Sequence, residues 1–128
     1  MIYGIGTDII EISRVLALYD SYGSRFVAKI LHPSEIIKLE SLTQSKKIKF
    51  VAKRWVAKEA LVKALGTGLR APFYMSNISV ASDSLGKPCF QFGDRLQQEI
   101  HSLAGFAVIH LTISDENNYA VAMVIVEN

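Results

Sequence analysis

Apolar residues recur along this chain at two spacings, and each spacing predicts a different element. Between Arg54 and Leu65 the residues Val56, Ala57, Ala60, Leu61 and Ala64 fall on one face at about 100° per residue. This predicts the second half of a long helix, stopped by Gly66 and Gly68. Three of those five residues are alanines, so a neighbour can approach closely. Glu59 and Lys63 stand one turn apart at one margin of the stripe, with Arg54 and Lys58 at the other. The other spacing is alternation. Ile2 to Ile10 reads as a buried first strand, with Gly4, Gly6 and Asp8 on one face and Tyr3, Ile5, Thr7 and Ile9 on the opposite one.

The remaining chain follows the same two rules. Ile12, Val15, Leu16 and Tyr19 predict a helix from Glu11 to about Tyr22, ended by Gly23. Pro33 suits the first turn of a short helix whose apolar side is Ile36, Ile37, Leu39 and Leu42. Thr43-Gln44-Ser45 interrupts the pattern before the long helix, and Leu69 to Ser76 reads as a loop. Asn77 to Ala81 and Cys89 to Phe92 predict two strands joined by a loop through Leu85-Gly86-Lys87-Pro88. Asp94 is expected to cap a helix from Arg95 to Leu103, closed by Gly105. Ala107 to Ser114 and Tyr119 to Glu127 form a final hairpin about Asp115-Glu116-Asn117-Asn118. The expected architecture is α+β, a mainly antiparallel sheet backed by helices, in one domain over residues 1–128.

Composition narrows the class. Half the residues are hydrophobic and 20% are charged, as in an ordinary globular protein. The single Cys89 can form no internal disulfide, which fits a reducing, cytoplasmic setting, and it reads as a small core residue. No signal peptide is evident, and no apolar run reaches the ~20 residues needed to span a bilayer. Net charge is +2, yet Lys46, Lys47, Lys49, Lys53, Arg54, Lys58 and Lys63 crowd into eighteen residues with Glu59 as the only acid. Such crowding suits a polyphosphate or an acidic partner; a solvated helix face is the alternative. Nucleic acid is disfavoured because only Trp55 follows Phe50 as an aromatic among these cations. His32, His101 and His110 show no ligand spacing and read as structural. Asp8 has two readings, a turn or cap residue and a functional carboxylate.

Trp55-Val56-Ala57-Lys58-Glu59-Ala60, followed by Lys63-Ala64 and Gly66-Thr67-Gly68, resembles the signature helix of the 4′-phosphopantetheinyl transferases, in particular the small bacterial holo-acyl-carrier-protein synthases. Gly4 to Val15 is similar to that family's opening segment, and Phe26 to Glu35 to its second block. Leu85-Gly86-Lys87-Pro88 matches its middle loop, and Tyr119 to Ala122 its closing strand. Ser114-Asp115 stands where many members carry Ser-His, which points to a subtype. No role for that histidine carries over.

The resemblance implies Mg²⁺-dependent transfer of 4′-phosphopantetheine from coenzyme A, a substrate, to a serine of apo acyl carrier protein. Fatty acid biosynthesis is the setting it implies. Asp8 and Glu59 match the family's two metal carboxylates, suited to an ion that takes hard oxygen ligands. Glu59 has a second role open to it, acceptor of the serine proton, directly or through water. Lys63 is placed to neutralise the departing phosphate. Arg54 and Lys47 lead the candidates for the coenzyme A phosphates, while Lys53 either lies against a phosphate or snorkels. Gly66, Gly68, Lys87 and Pro88 offer backbone and charge to the nucleotide, and both glycine turns are also good structural stops. Arg14, Arg25 and Lys29 form the expected docking surface for the acidic carrier. The resemblance further implies a homotrimer with active sites between subunits. Rival readings are a transferase for another kind of carrier domain, and a coenzyme A-binding module without turnover.

Overall fold

In the computed structural model, which describes residues 1–128, the chain runs β1 (Ile2–Glu11), α1 (Ile12–Tyr22), α2 (Ser24–Ile30), α3 (Pro33–Glu40) and α4 (Gln44–Leu65). A 3₁₀ turn at Met75–Asn77 precedes β2 (Ser79–Ser82) and β3 (Pro88–Gln91), then α5 (Asp94–Ala104), β4 (Val108–Asp115) and β5 (Tyr119–Glu127). The strands form two antiparallel sheets, not one. β1-β5-β4 make the larger, and β2-β3 stand apart as a hairpin. The α+β class expected from the pattern is the one found.

α4 organises everything else. It is 22 residues long and stops at Gly66, whose φ of 76° is the left-handed geometry that glycine adopts without strain. Val51, Ala52, Val56, Ala57, Ala60 and Leu61 have no measurable exposure and lie in a core of 31 buried apolar residues that reaches from Ile10 to Val126. The alanine stripe meets β1 directly. A Cβ built on Gly4 would lie 2.0 Å from the Ala64 carbonyl oxygen, and one on Gly6 2.0 Å from that of Ala60. Glycine opposite alanine therefore lets strand and helix backbones touch, and Asp8 follows on the same strand face.

Several expectations fail for tertiary reasons. β1 is an edge strand, and its outer face is open: Ile5 and Ile9 are more than 60% exposed. The helix α2 went unpredicted because it is only seven residues long, although Phe26, Val27 and Ile30 bury one side of it. Ile37 lies outside the apolar side of α3, with 73% of its surface in solvent. Gly93, not Asp94, is the cap residue of α5, and no side chain caps that end. Cys89 is exposed, because it alternates with the core-facing Phe90 on β3 and falls on the hairpin's outer face. No helix is long and apolar enough to cross a membrane.

Candidate functional site

The backbone contact between β1 and α4 brings Asp8 to the last two turns of the long helix. The Lys63 ammonium donates to Asp8 Oδ1 at 3.1 Å and to the Thr7 carbonyl at 3.0 Å. Lys63 is half-exposed and Asp8 mostly sheltered. Glu59, one turn before Lys63, has a carboxyl held above the ordinary Glu range. Burial is the main cause, the neighbouring Asp8 charge adds to it, and Lys63 opposes it. Two carboxylates and one ammonium therefore share a small, partly sheltered space, with residues 55 positions apart in sequence brought together.

This donor set can be tested against Mg²⁺. No group of three or more His, Cys, Asp and Glu side chains occurs, so the chain offers no all-protein metal cage. A pair of carboxylates that repel each other is what Mg²⁺ takes when waters and substrate phosphates complete its shell. The residues fit that ion.

A second cluster is apolar with a basic rim. Leu18, Tyr22, Phe26, Ile30 and Trp55, with Arg25 and Lys29, line a cavity of about 410 Å³ between α1, α2 and α4. Arg14 stands over the Trp55 ring at 5.4 Å, and Phe26 meets the same ring at 5.8 Å. The three cations expected to form a docking surface thus gather about one aromatic pair. The pair itself was missed, although helical spacing of Phe26 and Ile30 was available as a signal. A larger cavity, about 700 Å³, lies between α2, α3 and the start of α5 and contains none of the expected site residues.

Of the residues assigned to coenzyme A, Arg54 is misplaced by the sequence reading. Its side chain is buried in the core, stacked on Phe50 at 3.9 Å and facing Glu35, with Nε 3.7 Å from Glu35 Oε2. Burial lowers its pKa against the raising effect of Glu35. Lys58, placed at a helix margin, is likewise fully buried and bonded to Glu35. Lys47 and Lys53 are part-exposed on α4, in its first turn and its middle. Gly66 and Gly68 have left-handed φ and lie in the turn that follows Lys63. Lys87 and Pro88 belong to the β2-β3 hairpin, whose loop is ordered by Asp83 accepting from the Leu85 and Lys87 backbone amides. That hairpin shares no sheet with Asp8. His32 caps α3, accepting from the Ser34 amide, and His110 lies 3.0 Å from Glu127.

Comparison with known proteins gives the family. Residues 4–124 match the 4′-phosphopantetheinyl transferase superfamily. The holo-[acyl-carrier-protein] synthase of Nitrosospira multiformis is 47% identical, with 99% of each chain covered. The crystal structure of the Neisseria meningitidis synthase superposes with a TM-score of 0.93 at 38% identity, over 100% of both chains. That of the Bacillus anthracis synthase in complex with CoA (3′,5′-ADP) gives 0.84 at 35% identity, over 100% of this chain and 98% of that one. On the family match over residues 4–124 and the likeness in sequence, length and fold, the chain belongs to the 4′-phosphopantetheinyl transferase superfamily, among its holo-acyl-carrier-protein synthases.

Proposed function

We propose that residues 1–128 act as one phosphopantetheinyl transferase domain that moves 4′-phosphopantetheine from coenzyme A to a serine of apo acyl carrier protein. The observation that carries this reading is the meeting of Asp8, Glu59 and Lys63 where β1 presses on α4. The serine Oγ forms the new bond to the β-phosphorus, and the bond from that phosphorus to the bridging oxygen breaks. Adenosine 3′,5′-bisphosphate leaves with the electron pair. Glu59, beside Asp8 at the end of α4, is placed to accept the serine proton, directly or through water. Lys63 neutralises charge on the departing phosphate. Asp8 and Glu59 would hold Mg²⁺, which when bound supplies charge neutralisation and orientation of the pyrophosphate. Lys47, at the start of α4, Gly66 and Gly68, beyond its end, and Lys87 and Pro88 are assigned to the nucleotide.

The acidic carrier docks on Arg14, Arg25 and Lys29, with the Phe26–Trp55 pair as the apolar floor. The transferase works in the cytoplasm, in fatty acid biosynthesis. We also assign it a trimeric state with sites completed between subunits. Support comes from the open sheet face, where Ile5, Ile9, Val121 and Met123 expose apolar surface. The Lys87 hairpin packs against β4, the edge of the sheet opposite to β1 and Asp8, which is consistent with a site shared by two copies. Light scattering that finds an active monomer would overturn this part.

Incubation with coenzyme A, Mg²⁺ and an apo acyl carrier protein should add one phosphopantetheine to the carrier, read by mass spectrometry and abolished by a chelator. Tight coenzyme A binding with no carrier modified would favour a binding module. Full activity in both Asp8→Asn and Glu59→Gln would show the site to be wrong.

A further inference from the structure

A buried carboxylate that the reaction itself does not use connects the separate parts of the site. Glu35 is 3% exposed. Its Oε1 accepts from the His32 amide at 2.9 Å and from the Lys58 ammonium at 2.5 Å. Its Oε2 accepts from the Val80 amide at 3.0 Å and faces Arg54 Nε at 3.7 Å. Lys58 also donates to the carbonyl of Ile30, the last residue of α2, at 2.7 Å. One side chain thus ties the start of α3, the middle of α4 and strand β2, and through Lys58 the end of α2.

Those elements carry different functions. α4 holds Glu59 and Lys63, α2 holds Arg25, Phe26 and Lys29, and β2 leads into the loop with Lys87 and Pro88. Apolar packing alone lets such elements slide, because it is not directional. Buried hydrogen bonds to a charged group have fixed lengths and directions, and breaking one leaves an unsatisfied charge. We propose that Glu35 is a positioning residue: it sets the carrier-docking helix α2 and the β2-β3 hairpin in register with the metal-binding end of α4. The assignment of those elements rests on the function proposed above, while the positioning itself does not.

The chain supplies its own probe. Trp55, its only tryptophan, sits on α4 against Phe26 of α2, so its fluorescence reports how α2 is seated. Two variants separate position from stability. Glu35→Gln keeps the size and removes the charge. Glu35→Leu with Lys58→Met and Arg54→Met replaces the whole buried charge cluster by apolar groups, which is often neutral or favourable for stability but removes the directional side-chain ties. In both variants, measured well below their melting temperatures, we expect red-shifted Trp55 emission and greater acrylamide quenching. We also expect the carrier KM to rise about tenfold, and the coenzyme A KM to rise with it, because the loosened β2-β3 hairpin carries Lys87 and Pro88. A triple variant that melts like the wild type and keeps wild-type Trp55 emission, quenching and carrier KM would overturn the proposal, since Glu35 would then serve stability alone. Should the wild-type protein transfer nothing to any carrier, the functional reading falls, and Trp55 emission and quenching still decide whether Glu35 seats α2.

Discussion

Replacing Gly6 by alanine would test the link from packing to chemistry most directly. The added Cβ would stand 2.0 Å from the Ala60 carbonyl oxygen and 2.7 Å from the Ala64 amide nitrogen. Ordinary contact begins near 3.4 Å, so strand or helix must yield by about 1.4 Å. The obstacle is helix backbone inside the core, and no rotamer change relieves it. Overpacking of this kind typically costs ~1–3 kcal/mol, and the rigid obstacle places Gly6→Ala at the upper end. At roughly 4 °C per kcal/mol for a chain of this size, the melting midpoint should fall about 10 °C. Asp8 lies two residues along the same strand face, so it moves away from Glu59 by a comparable distance. A misplacement near 1 Å can cost on the order of 10²-fold in rate. Circular dichroism melts give the first quantity, and carrier modification at 20 °C below the midpoint gives the second. Gly93→Ala is the control: its φ is −69° and nothing lies within 4 Å of the added Cβ, so the midpoint should fall only by the small cost of alanine at a helix cap and turnover should stay within error. Wild-type stability and turnover in Gly6→Ala would refute the claim that backbone contact positions Asp8.

Three further outcomes follow from the charges. Glu59 has a raised folded-state pKa, so the folded chain holds more protons than the unfolded one above the ordinary value of 4.5. Stability should therefore decline as pH rises from there through the raised value. Glu59→Gln should remove that slope and raise the melting midpoint at pH 7.5 in metal-free buffer while abolishing transfer; a lower midpoint there would contradict the repulsion. Mg²⁺ alone should raise the wild-type midpoint, by up to ~2.7 kcal/mol of stabilisation at a hundredfold excess over its Kd. Asp8→Asn should erase most of that shift, and an equal shift in both proteins would exclude Asp8 as a ligand. Arg14→Glu should raise the carrier KM and flatten its salt dependence without changing the coenzyme A KM. Steady-state kinetics at two ionic strengths decide this, and an unchanged carrier KM would remove Arg14 from the docking surface.

Local pattern alone determined a good deal of this protein. The end of α4 at Gly66, its alanine stripe, the Gly4-Gly6-Asp8 face of β1 and the final hairpin all follow from periods of 3.6 and 2 and from the backbone freedom of glycine. The motif order made the family legible, and with it Asp8, Glu59 and Lys63, which the fold then brings together. What the pattern did not contain is where charged side chains go. Arg54 and Lys58 look like solvated helix margins because burying a cation is costly unless a partner waits for it. That partner is Glu35, 23 residues from Lys58 and on another helix, where nothing in the spacing of either segment announces the pairing. The same limit explains the open face of β1 and the split into two sheets. Alternation says which residues share a face, whereas only the assembled fold decides whether that face or that edge meets a neighbour.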